Sequence, residues 1–130
     1  MSPVKNQGSS CNAFQAFTAT ALYEYQSIKN NTNNIYSDQN LIDCVPDGGA
    51  CTGGSPHYYL MYVHDQGISN GSTYKYVGKT QKCQRTASKN PAIFQDKKKV
   101  CGGELLGDEV SLKAILANYG PLIVYMSMQL

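Results

Sequence analysis

Five cysteines in 130 residues constrain this chain more than any other feature: Cys11, Cys44, Cys51, Cys83 and Cys101. No Cys-x-x-Cys pair occurs, so a zinc site is not expected. Spread over so small a chain, the cysteines predict the disulfide framework of a secreted or lysosomal protein. Their odd number leaves at least one thiol without a partner in the chain. Two sequons, Asn30-Asn31-Thr32 and Asn70-Gly71-Ser72, predict glycosylation at Asn30 and Asn70 on the same route. No charged-then-apolar leader follows Met1, which is at odds with that route unless the N-terminus is processed or truncated.

Other properties narrow the partners. The length suits one domain with a modest core. No apolar run approaches the ~18 residues of a membrane span, so no membrane partner is expected. A net charge of +2 argues against nucleic acid, and the run Lys97-Lys98-Lys99 predicts a solvated loop. No cofactor or metal is expected, and the oligomeric state is not readable.

Cys11 stands apart from the other cysteines. It follows Pro3-Val4-Lys5-Asn6-Gln7-Gly8-Ser9-Ser10, and a helical pattern begins directly behind it. Phe14, Phe17, Ala21, Tyr25 and Ile28 recur at steps of three and four, which predicts an amphipathic helix over 11–29. Ser9 or Ser10 is expected to cap it. A thiol at a helix N-terminus is favoured as its thiolate and becomes a nucleophile. The competing reading is a buried small hydrophobe or half of a disulfide.

The rest of the chain reads as helices first and a strand last. Residues 30–34 are a polar break. Ser37 is expected to cap a short helix ending at Cys44. Residues 46–54, PDGGACTGG, form a glycine-rich loop. Pro56 opens a third helix that runs to Gln66 and stops at Gly67. Residues 68–77 are extended or looped, 79–99 are polar and aperiodic, and a short strand is expected near 99–106. Asp108 and Glu109 open a fourth helix whose apolar side is Val110, Leu112, Ile115, Leu116 and Tyr119. Gly120-Pro121 ends it, and residues 122–128 are strand-like.

These motifs together resemble the papain-like cysteine peptidases. Pro3-Val4-Lys5-Asn6-Gln7-Gly8 and Ser10-Cys11-Asn12-Ala13-Phe14 resemble the family's nucleophile segment. Ser37-Asp38-Gln39-Asn40-Leu41-Ile42-Asp43-Cys44 resembles its S-E-Q-x-L-V-D-C helix. Cys51-Thr52-Gly53-Gly54 resembles its C-x-G-G loop. Gly67-Ile68 with Tyr74-Lys75-Tyr76 resembles its G-I…Y-P-Y segment, and Asp108-Glu109 through Gly120-Pro121 its passage into the second domain. The matches are collinear over nearly the whole chain.

The resemblance implies an α+β, papain-like fold: a helical first (left) domain over 1–104 and the start of a barrel-like second domain over 105–130. It implies Cys11 as the nucleophile that attacks a peptide carbonyl, with the Gln7 amide in the oxyanion hole. Gly53 and Gly54 would lie beside the substrate backbone, where the absence of a side chain permits close approach. Ser55 and Pro56 would border the main specificity pocket. Cys44 would pair with Cys83. The implied partner is a peptide or protein substrate, and the implied location is lysosomal or extracellular.

Three departures accompany the resemblance. The family form C-G-S-C-W is shortened here to Ser9-Ser10-Cys11-Asn12, so its first cysteine, the usual partner of the C-x-G-G cysteine, is missing, and Asn12 replaces the aromatic. Cys101 is then expected to pair with Cys51, leaving Cys11 as the odd thiol; a lost N-terminal cysteine could equally have paired with Cys101. The base histidine is expected ~130–150 residues after the nucleophile, beyond Leu130. His57 and His64 fall on the third helix and are expected to be structural or at the surface. Without the base, this chain alone is expected to hydrolyse peptides negligibly. The rival expectation is a non-catalytic relative that binds peptides or a partner.

Overall fold

A computed structural model of the chain describes residues 2–84 and 109–125. Four helices are present among them: α1 Phe14–Lys29, α2 Asp38–Cys44, α3 Pro56–Gln66 and α4 Glu109–Tyr119. Sheet structure there is limited to two isolated bridges, Asn12 with Thr52 and Tyr36 with Asn70.

Two helices begin and end where local chemistry dictates. The Ser37 hydroxyl accepts from the Asn40 N–H at 2.9 Å and starts α2. The Ser55 hydroxyl accepts from the His57 N–H, and Pro56 occupies the first turn of α3, where its missing N–H costs nothing. Gly67 ends α3 at φ 80°, in the left-handed region.

α1 departs from expectation in two ways. It starts at Phe14, not Cys11, and its cap residue Ala13 offers no side-chain hydrogen bond. The Ser10 hydroxyl instead donates to the Gly78 carbonyl at 3.0 Å. The reason is tertiary: Cys11 is bonded to Cys51, and the Asn12 N–H donates to the Cys51 carbonyl at 3.0 Å. The backbone pairing of Asn12 with Thr52 keeps this segment extended, ahead of the helix.

The face that α1 buries is also not the apolar stripe. Its buried residues are Gln15, Ala16, Ala19, Thr20, Tyr23, Glu24 and Ser27. Phe14, Ala21 and Tyr25 are exposed, and Phe17 and Ile28 are only partly buried. Small residues on the inner side let α2 and α3 approach α1 closely, and the core forms there around Tyr23, Tyr36, Leu41, Ile42, Tyr59, Leu60, Val63 and Ile68. The outer stripe lines a groove of about 630 Å³ with Pro121, Leu122 and Ile123.

Each polar residue of the inner face has a partner through at least one atom, while Gln15 Oε1 and Glu24 Oε2 are buried without a hydrogen bond among the described residues. Lys5 reaches from the N-terminal segment to Glu24 at 2.7 Å and Asp38 at 3.0 Å, and also donates to the Tyr36 carbonyl. Thr20 hydrogen-bonds Asp38. The Tyr36 N–H donates to Glu24 at 2.9 Å. Burial, the largest influence on Asp38, raises its pKa above the ordinary 3.8 despite Lys5. Tyr23 is pushed up to about 12 by burial and then by Tyr36, whose ring it meets edge-on.

α4 contains no buried residue. Gly120 follows it at φ +98°, against the Tyr25 ring. Residues 122–125 carry no strand, contrary to expectation; a strand needs a paired neighbour, and none exists for them among the described residues. The strand expected at 99–106 and the 104/105 domain boundary lie outside the described residues. No helix of the described residues is long and apolar enough to cross a membrane.

Candidate functional site

The site is built where the N-terminal segment, the head of α1 and the glycine-rich loop meet. Cys11 lies beneath the loop, 1% exposed, in a disulfide with Cys51. Their Cα atoms are 4.6 Å apart, and the Asn12–Thr52 bridge continues the contact by one residue. This corrects two expectations at once: Cys51 pairs with Cys11 rather than Cys101, and Cys11 is a half-cystine rather than the odd thiol. A sulfur in a disulfide has no thiolate to attack with. Cys101 lies outside the described residues. Cys44 is joined to Cys83.

The glycine loop is held from below. The Gln15 amide donates to the Ala50 carbonyl at 2.7 Å and to the Tyr59 hydroxyl at 3.2 Å, and that hydroxyl donates to the Gly48 carbonyl at 2.8 Å. A Cβ at Gly49 would lie 1.8 Å from the Gly53 carbonyl oxygen, and one at Gly54 would lie 2.3 Å from the Gly48 oxygen. Here the loop folds back on itself so closely that only glycine fits. Gly53, at φ +88°, faces the Asn12 amide and the Phe14 ring, and a Cβ there would lie 3.1 Å and 3.4 Å from them. Gly54 is exposed.

Gln7 is part-buried, and its carbonyl accepts from the Tyr76 hydroxyl at 2.7 Å. Together with the Ser10–Gly78 bond, this pins 7–10 to the segment around 76–78. Ser55 and Pro56 form the head of α3 at the far end of the loop, and the Ser55 hydroxyl is 3.5 Å from that of Tyr125. The structure therefore gathers Cys11, Gly53, Gly54, Ser55 and Pro56 along one continuous stretch, with Gln7 on the segment leading into it. His57 is exposed, and His64 pairs with Asp65 at 2.7 Å, both on α3. Asn30 and Asn70 are exposed and lie away from this stretch. Among the described residues no group of three or more His, Cys, Asp or Glu is placed to hold a metal.

Sequence reasoning missed Phe14 and Asn12 as members of the site. Their place follows from the Cys11–Cys51 bond, which no local pattern in the sequence announces.

The description "papain family cysteine protease" matches the chain over residues 1–130. Cathepsin K of Mus musculus is 33% identical over 127 residues, 95% of this chain and 37% of the relative. Testin-2 of Rattus norvegicus is 34% identical over 128 residues, again 95% and 37%. The chain thus spans little more than a third of the length of these relatives. Among solved structures, the Carica candamarcensis cysteine protease CMS1MS2 in complex with E-64 aligns with a TM-score of 0.63 and 33% identity, covering 71% of this chain and 43% of that one. The bromelain protease of Ananas comosus, also with E64, gives 0.59 and 30%, covering 64% and 39%.

Proposed function

The chain belongs to the papain family of cysteine proteases, and from that premise we propose that it forms the first-domain wall of a papain-type cleft, which receives an extended peptide or protein segment without hydrolysing it. The observation that carries this reading is the Cys11–Cys51 disulfide, which leaves no thiolate at the one cysteine of the nucleophile segment. The exposed Gly54 and the narrow Gly53 provide a surface that a peptide backbone can approach. Ser55 and Pro56 border the place of its side chain. The proposed division is a helical domain over 1–104 and the start of a second over 105–130. Peptide or protein is the proposed partner, with no nucleic acid and no membrane. The two disulfides support a lysosomal or extracellular location, where such bonds persist, with glycans at Asn30 and Asn70.

A second reading keeps Cys11 as the thiolate of an endopeptidase, with Gln7 donating to the oxyanion. It is favoured by the part-exposed Cys51, through which a dithiol could open the bond. Then thiolate attack on the carbonyl would break the C–N bond and release the protonated amine, leaving an acyl-enzyme that water hydrolyses to the acid and the free thiolate, with the proton carried by residues other than His57 and His64. One experiment addresses both. The chain is incubated with a fluorogenic peptide amide, with and without dithiothreitol, and separately titrated into a fluorescein-labelled extended peptide. Saturable binding without fluorophore release is expected. Release that disappears in Cys11→Ala would establish the second reading, and absence of binding would refute the first.

A further inference from the structure

The register of the Cys11–Cys51 bond reassigns the nucleophile segment. In the form C-G-S-C-W the first cysteine is the partner of the C-x-G-G cysteine, and the nucleophile stands three residues later. Cys51 opens Cys51-Thr52-Gly53-Gly54, and its partner here is Cys11. Cys11 is therefore the first cysteine of the motif and not the second. Three residues on stands Phe14.

Two further observations reach the same residue independently. A nucleophile activated by a helix N-terminus must sit at the helix head. α1 begins at Phe14, while Cys11 lies ahead of the cap residue and points beneath the loop. The nucleophile must also lie beside the glycine segment that carries the peptide. The Phe14 ring approaches a Cβ position at Gly53 to 3.4 Å and is 39% exposed, so it borders the open side of that segment.

We propose that Phe14 occupies the nucleophile's place in this cleft, so that a bound peptide meets an aromatic ring where the family presents a thiolate. The inference rests on the cleft reading above and deepens it: the missing thiol is a substitution at residue 14, not a reversible consequence of oxidation at Cys11. An apolar ring at this point favours peptides with an apolar residue seated over it, through burial.

The test uses the full chain carrying Phe14→Cys with Cys101→Ser, under non-reducing conditions, with iodoacetamide as probe. In the reaction the thiolate forms a C–S bond and iodide leaves. The introduced thiol is expected to react at least ten times faster than glutathione at pH 6, because the α1 head favours its thiolate. A rate equal to or below that of glutathione overturns the assignment, as does a peptide map in which residue 14 rather than Cys11 is joined to Cys51. The unaltered chain gives a second test that does not depend on the variant folding. After mild reduction, Cys11 is expected to be labelled by a peptidyl epoxide no faster than glutathione, and rapid labelling there overturns the proposal. A fast thiol at residue 14 in a chain that binds no fluorescein-labelled peptide would refute the peptide-holding reading while upholding the assignment.

Discussion

α1 and α4 carry similar apolar patterns and have opposite fates. α1 buries seven residues, and α4 buries none. Yet α1 does not bury its pattern: of the stripe, Phe14, Ala21 and Tyr25 are exposed and Phe17 and Ile28 only partly buried, while alanine, threonine, serine, glutamine, glutamate and tyrosine face the core. An apolar stripe thus announces a surface to be covered without saying which element covers it. In α1 the inner side is decided by what α2 and α3 need, namely small residues for close approach and polar ones that answer Lys5, Asp38 and Tyr36.

If the inner side of α1 is held by its polar network, cutting that network has the largest effect. Lys5→Met leaves Glu24 and Asp38 buried without their cation, and is expected to cost about 4 kcal/mol of unfolding free energy in a urea titration. A loss below about 1 kcal/mol would mean that packing alone decides the face. The contrast with α4 is tested by a matched pair. Leu41→Ala removes a fully buried side chain and should cost about 3 kcal/mol, whereas Leu116→Ala, half exposed on α4, should change stability by less than about 0.5 kcal/mol. Equal effects would erase the distinction between the two helices.

The smallest effect is a pH dependence. The native pKa of Asp38 lies above its ordinary 3.8, so the folded state holds that proton more readily than the unfolded chain. Its contribution to stability is therefore full below 3.8 and is lost as pH rises through the native value. The stability of the unaltered chain relative to Asp38→Asn should fall as pH is raised from about 4 toward neutrality, and a rise instead would show that Lys5 outweighs burial.

α2 and α3 were legible in the sequence because their boundaries are set by neighbours in the chain: Ser37, Ser55, Pro56 and Gly67. The start of α1 was not, because a bond to Cys51, forty residues away, holds 11–12 outside the helix. The inner face of α1 was hidden because glutamine, glutamate and serine read as solvent-facing and alanine and threonine are nearly neutral, and Lys5, the cation that answers Glu24, stands in a segment with no periodicity. The papain-like fold was readable from its collinear motifs. At the site, Gly53, Gly54, Ser55 and Pro56 lie along one stretch, while Cys11 changes meaning with its partner. Five cysteines do not dictate their own pairing.

The two disulfides interleave: Cys44 falls inside the loop closed by Cys11 and Cys51, and Cys51 falls inside the loop closed by Cys44 and Cys83. Their spans overlap, so every peptide bond from Cys11 to Cys83 is bypassed by at least one sulfur bridge. A single backbone cut in that stretch separates nothing, and both pieces remain one molecule. In surroundings rich in proteases, the glycine-rich loop can therefore be nicked without the fold losing a part, until a reductant arrives.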